Sequence, residues 1–319
     1  MNALIQHATQ REHDDFGSSV IEGLSKPRKS LPCRFFYDAL GSRLFEEITA
    51  LPEYYPTRSE VAILEAYAGE MVRDSSNVSA LVEFGSGSCR KTELLLERLP
   101  QLSAYVPIDV SRSALEEAKR RLEQRFPKLH VRPLIADFTQ GVVLPENFAS
   151  DAKLGFFPGS TIGNFTPTEA VRLLRLMRRS LSPDGSLIIG VDLKKDVGQL
   201  LGAYNDSRGL TAAFNLNLLK RINRELYGTF DLGQFRHEAT YNSIEGRIEM
   251  HLVSEKEQMV SVDNELFHFR AGETIHTENS YKYSIDQFRY LARTAGWSPE
   301  RMWKDASGYF SVHELMPSA

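Results

Sequence analysis

The feature that most constrains this chain is a short apolar segment that ends in two glycines, Ala80-Leu-Val-Glu-Phe-Gly-Ser-Gly-Ser88. A run as apolar as residues 80–84 predicts a strand buried on both faces, as in parallel sheets. Gly85 and Gly87 let the backbone turn tightly and approach a ligand without an intervening Cβ. The segment is typical of the first strand and glycine turn of a nucleotide-type α/β fold, with a helix predicted over residues 90–99. A strand-to-helix turn that binds nothing is the alternative.

The glycine turn departs from the dinucleotide-binding fingerprint. That fingerprint has a third glycine three residues after the second, and position 90 is Arg here. Glu83 followed by a loose G-x-G turn fits S-adenosylmethionine (SAM) better than NAD. The turn therefore predicts a SAM site and disfavours a nicotinamide oxidoreductase.

Two later segments predict strands that end in acidic residues. Tyr105-Val-Pro-Ile-Asp109 ends 24 positions after Gly85, close to the offset of about 20 residues at which an acid binds ribose hydroxyls. Asp109 is therefore the predicted ribose ligand. Leu134-Ile-Ala-Asp-Phe138 predicts that Asp137 bonds the adenine amino group and that Phe138 covers the ring, with an ordinary strand-end turn as the alternative.

A fourth strand with a glycine-rich loop is predicted in Leu154-Gly-Phe-Phe-Pro-Gly-Ser-Thr-Ile-Gly-Asn164. Ligands of open α/β sheets bind at the carboxyl ends of the strands, so all these loops are expected at one crevice. The loop residues Gly159, Ser160 and Thr161 are therefore predicted cofactor contacts.

Composition limits the function classes. The chain has 319 residues, 42% hydrophobic and 25% charged, which predicts a globular protein of one elaborated domain or two. A net charge of −4 gives no basic field for nucleic acid. Cys33 and Cys89 are far apart and the histidines show no ligand spacing, so neither a disulfide framework nor a metal site is expected. With no export signal and no apolar run near 18 residues, we expect a cytoplasmic protein without a membrane partner. We also expect a monomer without a nucleic-acid partner.

The middle of the chain alternates predicted strands and helices. Ser113-Ala-Leu-Glu116 is a capping-box pattern that opens a helix to about residue 126. Thr166-Pro-Thr-Glu169 is a stronger one, with Pro167 at the favoured first position, and a strand is predicted over Ser186–Leu193. Five parallel strands with helical crossovers predict an α/β fold with a doubly wound, Rossmann-like sheet.

The regions on either side do not follow this alternation. Residues 196–283 carry a helix near 211–226 and alternating strands, which predicts an inserted α+β substrate domain. The predicted division is a polar leader (1–30), an N-terminal segment contributing to the substrate domain (31–60), the cofactor-binding core (61–195), the inserted domain (196–283), and a C-terminal helix (285–294) and strand (309–315) that complete the core (284–319).

Several long motifs carry a family resemblance from about residue 28 to the end. They are Phe36-Tyr-Asp-Ala-Leu-Gly-Ser42, Leu51-Pro-Glu-Tyr-Tyr-Pro-Thr-Arg58, Glu83-Phe-Gly-Ser-Gly87, Pro158-Gly-Ser-Thr-Ile-Gly-Asn164, Thr211-Ala-Ala-Phe-Asn215 and Arg247-Ile-Glu-Met250. Together they resemble the histidine N-alpha-methyltransferases of the ergothioneine pathway. The resemblance implies a class I methyltransferase core with an extra substrate domain. It also implies that three SAM equivalents convert L-histidine, through its mono- and dimethyl forms, to the trimethyl betaine hercynine.

The resemblance also implies roles for individual residues. It surrounds SAM with residues already predicted from the strand ends and adds Lys91, for which simple solvation is the alternative. It puts Tyr54, Asn164 and Tyr204 at the carboxylate and amine of the amino acid, with Tyr37 nearby; Tyr37, Tyr54 and Asn164 would orient the reacting amine. Buried aromatic residues and a helix-capping Asn164 are the alternatives.

Specificity residues are implied on the inserted domain. Period-two alternation puts Glu278 and Ser280 on one strand face, and the resemblance assigns them to the two imidazole nitrogens. An exposed edge strand is the alternative, which Lys282 on the same face would fit. Met250 and Phe214 are implied to contact the substrate ring, whereas periodicity alone makes Met250 a core residue. A methyltransferase for another small amine and a non-catalytic SAM-binding protein remain alternative functions.

Overall fold

The computed structural model describes residues 15–87, 89–144, 152–181 and 183–318. Its helices are α1 (15–25), α2 (Ala39–Thr49), α3 (Tyr55–Met71), α4 (Arg90–Leu96), α5 (Arg112–Arg125), α6 (Pro167–Ser180), α7 (Val197–Tyr204), α8 (Leu210–Glu225) and α9 (Ile285–Thr294). Its strands are β1 (Ala80–Phe84), β2 (Ala104–Asp109), β3 (His130–Val131), β4 (Leu134–Ile135), β5 (Lys153–Phe157), β6 (Ser186–Asp192), β7 (Phe235–Asn242), β8 (Arg247–Ser254), β9 (Gln258–Val262), β10 (Glu265–Phe269), β11 (Thr274–Tyr281), β12 (Trp297–Lys304) and β13 (Phe310–Pro317).

The chain forms two compact units, each discontinuous in sequence. The core unit consists of Tyr54–Asp196, Ser243–Arg247 and Ser280–Ala319. The second unit consists of Met1–Glu53, Val197–Asn242 and Ile248–Asn279. Residues 243–247 and 280–283, which fall inside the predicted insertion, thus belong to the core unit.

The core unit contains a mixed sheet with the strand order β3-β2-β1-β5-β6-β13-β12, and β4 also pairs with β2. The strands from β3 to β6 are parallel, whereas β13 runs antiparallel to β6 and β12 antiparallel to β13. The order reverses between β1 and β5, so this is the doubly wound sheet that the sequence predicts. Its switch point lies at the carboxyl ends of these two strands.

Alternation along the strands explains why helices cover both faces of the sheet. Val82 and Phe84 of β1 pack in one apolar cluster with residues of α6 and α9. Leu81, between them, packs in the other cluster with residues of α3, α4 and α5. β1 therefore buries both faces, which is why its sequence is a continuous apolar run.

Several predicted elements differ in detail. The third strand was expected over residues 134–138, but pairing is limited to β3 and β4, and a 3-10 turn, Phe138–Gln140, follows. A single closing strand was predicted at the end of the chain, but the structure has an antiparallel hairpin there. Its first strand, β12, was not predicted. The capping box at Ser113 is wrong, because Ser111 caps α5 by accepting from the Ala114 amide. The box at Thr166 is confirmed in full at α6.

The second unit contains a sheet with the order β11-β8-β7 and the hairpin of β9 and β10. Phe230, Phe235 and Phe269 pack edge to face with centroids 5.4–6.0 Å apart. Within the predicted polar leader, α1 buries Phe16 and Val20; residues 1–14 lie outside the described part of the chain. None of the helices in the described residues is both long and apolar enough to cross a membrane.

Candidate active site

The glycine turn after β1 is tied to the end of β2. Gly85 has φ +71°, and a Cβ there would lie 3.3 Å from Cε1 of Phe138, so a side chain is disfavoured both by conformation and by space. The Gly87 amide donates to Asp109 Oδ2 at 3.0 Å, and the Ser111 amide donates to Oδ1 at 2.9 Å. Burial raises the pKa of Asp109, while these amide bonds oppose the shift. Asp109 therefore holds the turn as well as ending its strand.

A buried polar cluster lies under this turn. Glu83 accepts from the Thr92 hydroxyl at 2.5 Å and from the Tyr105 hydroxyl. The Tyr105 hydroxyl also lies 3.1 Å from Cys89 Sγ. Burial raises the pKa of Glu83 to about 8, against the effect of its hydrogen bonds. Glu83 is thus largely protonated at neutral pH and braces β1 against the start of α4.

The loop after β4 holds the predicted adenine residues. Asp137 Oδ1 accepts from the Thr139 amide at 2.9 Å and from its hydroxyl at 2.6 Å, which closes a tight turn. The Phe138 ring packs edge-on against Phe157, with centroids 5.6 Å apart. Both predicted residues are half-buried, so each keeps some accessible surface.

The loop after β5 is anchored by Glu60, which sequence reasoning missed. This carboxylate is fully buried and accepts from the Gly159 amide at 2.8 and 3.0 Å. It also pairs with Lys91 Nζ at 2.5 Å, so Lys91 is not simply solvated. A Cβ at Gly190 would lie 2.0 Å from Glu60 Oε1. The glycine inside β6 was the one available sequence signal, since it marks a close approach without naming the partner.

A second missed anchor is Asp192 at the end of β6. Its amide donates to Ser160 Oγ at 2.8 Å, and Ser160 itself has φ +54°, a strained value for a residue with a side chain. The buried carboxylate accepts from the Tyr55 hydroxyl at 2.7 Å and pairs with Lys195 and, at 2.7 Å, with Lys282. Burial alone would raise the pKa of Asp192, but the two ammonium groups outweigh it and lower that pKa. Asp192 thus fixes the conformation of the Ser160 loop through its backbone amide, while its buried carboxylate binds Tyr55 and two lysines.

Three predicted substrate residues belong to the core unit. Tyr54 is half-buried and immediately precedes α3; Asn164 is half-buried at the end of the 3-10 turn Thr161–Asn164. Asn164 is not needed as a cap, because Thr166 caps α6. Ser280 and Lys282 are buried, with 5% and 2% exposure. The exposed-edge alternative for this face is therefore wrong at both residues.

The other predicted substrate residues belong to the second unit. Phe214 is buried against Tyr37 and Phe45, with ring centroids 5.7 and 5.9 Å away. Met250 is buried between neighbours on the same face of β8, as periodicity predicts. Glu278 is half-buried in β11. Their contacts with the substrate stay predictions.

Tyr204, at the end of α7, is held through its carbonyl group. His237 Nε2 lies 2.9 Å from that oxygen, which can only accept, so Nε2 carries the proton. His237 Nδ1 then accepts from Asn215 Nδ2 at 2.9 Å. Burial lowers the pKa of His237, which keeps the ring neutral and preserves both bonds. His237 and Asn215 were also missed, because neither lies in a recognisable motif.

The residues predicted to hold SAM come together in the core unit. They follow the carboxyl ends of four parallel strands, apart from Lys91, which is on α4 and reaches the β5 loop through Glu60. Open space surrounds the Cβ position at Gly87, and Asp109 and Phe138 are only half-buried. A cradle with a bare backbone, a strand-end carboxylate and an aromatic ring suits the amino acid, ribose and adenine parts of SAM.

Comparison with known proteins covers nearly the whole chain. Residues 16–317 match a family model described as histidine-specific methyltransferase, SAM-dependent. The histidine N-alpha-methyltransferase of Mycolicibacterium smegmatis is 40% identical over 299 residues, with 92% of each chain covered. That of Mycobacterium tuberculosis is 40% identical over 298 residues, again with 92% of each covered. Ergothioneine biosynthesis protein 1 of Neurospora crassa is 34% identical over 312 residues, 94% of this chain and 34% of that protein.

Proposed function

This chain belongs to the family of SAM-dependent, histidine-specific methyltransferases, and we propose that it methylates the α-amino nitrogen of L-histidine. Successive transfers through the mono- and dimethyl forms would give hercynine. This conversion would be the first step of ergothioneine biosynthesis. The observation that carries the proposal is the 40% sequence identity with a histidine N-alpha-methyltransferase over 92% of each chain. A cytoplasmic location and a monomeric state remain predictions.

We propose that SAM occupies the cradle at the switch point of the sheet. Asp109 would bind the ribose hydroxyls, and Asp137 and Phe138 would hold the adenine. The Gly85 turn, Lys91 and the loop residues Gly159, Ser160 and Thr161 would surround the remainder. The bound donor supplies a methyl group activated on a sulfonium. The protein then has to align the acceptor nitrogen with that methyl group.

The substrate contacts are proposed from the family resemblance. Tyr54, Asn164 and Tyr204 would bind the carboxylate and amine of histidine. Glu278 and Ser280 would bind the two ring nitrogens, with Met250 and Phe214 against the ring. The burial of Ser280 supports this proposal, because a buried hydroxyl at the end of β11 is unsuited to a merely solvated strand edge.

The amine has to lose a proton before it can attack. A free α-amino group is largely protonated at neutral pH. We propose that Tyr37, Tyr54 and Asn164 orient the amine, and that its proton leaves through a tyrosine hydroxyl or a bound water. As methyl groups accumulate the nitrogen becomes a permanent cation, which the faces of Tyr37, Tyr54 and Phe214 would favour by cation–π attraction.

Replacing Glu278 with Ala tests the substrate assignment. Loss of a hydrogen bond to a charged group costs about 1.5–3 kcal/mol, so we expect the KM for histidine to rise on the order of 10- to 100-fold. The dissociation constant of S-adenosylhomocysteine, measured by calorimetry, should not change. Glu265→Ala, at an exposed glutamate of β10, is the matched control. Unchanged histidine kinetics in Glu278→Ala would refute the assignment.

A further inference from the structure

A buried lysine of the core unit connects Ser280 with Asp192. Lys282 Nζ lies 2.7 Å from Ser280 Oγ and 2.7 Å from Asp192 Oδ2, and the lysine side chain is 1% exposed. An ammonium group has only donors, so Ser280 Oγ is the acceptor in the first bond. The hydroxyl proton of Ser280 therefore points away from Lys282.

The backbone fixes the direction of this lysine. The Tyr283 amide donates to the Asp192 carbonyl at 3.1 Å, and the Lys194 amide donates to the Tyr283 carbonyl at 3.0 Å. The Lys282 amide donates to the Gly246 carbonyl at 2.9 Å. These bonds hold the backbone of residues 282 and 283 on both sides. The side chain is held separately by its buried ion pair with Asp192. Removing one partner of such a pair is strongly destabilising.

We propose that Lys282 is a positioning residue that makes the Ser280 hydroxyl a hydrogen-bond donor toward the substrate ring. This inference rests on the proposed function, in which Ser280 contacts that ring. A neutral imidazole offers one N–H donor and one acceptor nitrogen. Glu278 would accept from the N–H, and Ser280 would donate to the acceptor nitrogen. The pair then selects rings that carry one donor and one acceptor, and disfavours rings without an acceptor nitrogen.

Asp192, whose carboxylate holds Lys282, also fixes the Ser160 loop. The Asp192 amide donates to Ser160 Oγ, while the Asp192 side chain binds Lys282. One residue therefore sets both a proposed cofactor loop and the proposed ring-binding hydroxyl. Lys195 binds the same carboxylate and also donates to the Tyr55 hydroxyl at 2.7 Å and the Leu193 carbonyl at 2.6 Å.

A double-mutant cycle of Ser280→Ala and Lys282→Met tests the inference. Each single change should lower kcat/KM for histidine about tenfold, the loss of one hydrogen bond, mainly through KM. The double variant should be no worse than Ser280→Ala, because Lys282 acts through the hydroxyl that is already gone. Independent, multiplying losses in the double variant would overturn the inference. Lys195→Met is the matched control; it should lower the melting temperature while leaving the preference for histidine over a pyrrole analogue unchanged.

A substrate analogue gives a second test that does not depend on the folding of Lys282→Met. Pyrrolylalanine keeps one ring N–H and has C–H in place of the acceptor nitrogen. With the better of its two isomers, the wild-type enzyme should show kcat/KM about tenfold below that for histidine. Ser280→Ala should treat the two substrates alike. If Ser280→Ala retains the full preference, Ser280 is not the donor and the inference fails, whereas a wild-type enzyme inactive on histidine would refute the proposed function itself.

Discussion

At the scale of single residues, burial decides what each polar group can do. Asp109 was predicted because an acid at a strand end follows a simple spacing rule. Glu60, Asp192 and His237 were not, because each acts on a residue far away in sequence. Their partners are Gly159, Ser160 and the carbonyl of Tyr204. Long-range pairing of this kind leaves no local pattern, so only the structure reveals these supporting residues.

Glu83 gives a prediction about pH. Its pKa is raised from 4.5 to about 8 by burial, so between these values the folded state keeps a proton that the unfolded state has lost. The stabilisation by the protonated carboxyl is therefore complete below about pH 4.5 and is lost as the pH rises through 8. Glu83→Gln imitates the protonated form. We expect its urea midpoint to be close to that of the wild type near pH 5.5, and the midpoint of the variant to rise relative to that of the wild type toward pH 8.

Urea unfolding of both proteins across this range measures the effect, since shared titrations cancel in the difference. Glu265→Gln, at an exposed position, should follow the wild type at every pH. A constant difference between wild type and Glu83→Gln from pH 5.5 to 8 would show that Glu83 titrates normally.

At the scale of elements, local sequence patterns predicted the existence and type of helices and strands better than their boundaries. The Thr166 capping box was correct because Thr166, Pro167 and Glu169 give three agreeing signals. The Ser113 pattern failed because Ser111, two residues earlier, offers a hydroxyl to the same helix end. Strand β12 was missed because residues 297–304 carry charged and aromatic residues together and lack clean alternation. Its pairing with β13, not its own sequence, makes it a strand.

The contact between α3 and the loop after β5 gives a prediction at this scale. Glu60→Ala removes the acceptor of the Gly159 amide and the partner of Lys91. We expect S-adenosylhomocysteine to bind about tenfold more weakly, because a buried donor left unpaired costs about 1–3 kcal/mol and the loop loses its anchor. Calorimetry well below the melting temperature measures this constant. Glu65→Ala, exposed on the same helix, should bind like the wild type, and equally tight binding by Glu60→Ala would contradict the anchoring role.

At the scale of the whole molecule, the sequence predicted a cofactor core interrupted by an insertion. The alternating strands and helices of residues 80–192 follow period rules that hold regardless of context, and the doubly wound sheet is confirmed. The exact division was less accessible. Residues 243–247 and 280–283 group with the core unit although they lie within the predicted insertion. Such grouping depends on pairing between distant segments, such as the bridge of Leu193 with Tyr283.

The proposed reaction of the whole molecule is methylation of the α-amino nitrogen of histidine. Mass spectrometry of L-histidine incubated with the purified protein and SAM tests it most directly. We expect products that have gained one, two and three methyl groups, with fragmentation placing all three on the α-nitrogen and the trimethyl form accumulating at the end. The proposal would be contradicted if the protein bound SAM or methylated another amino acid but left histidine unmodified or methylated its ring.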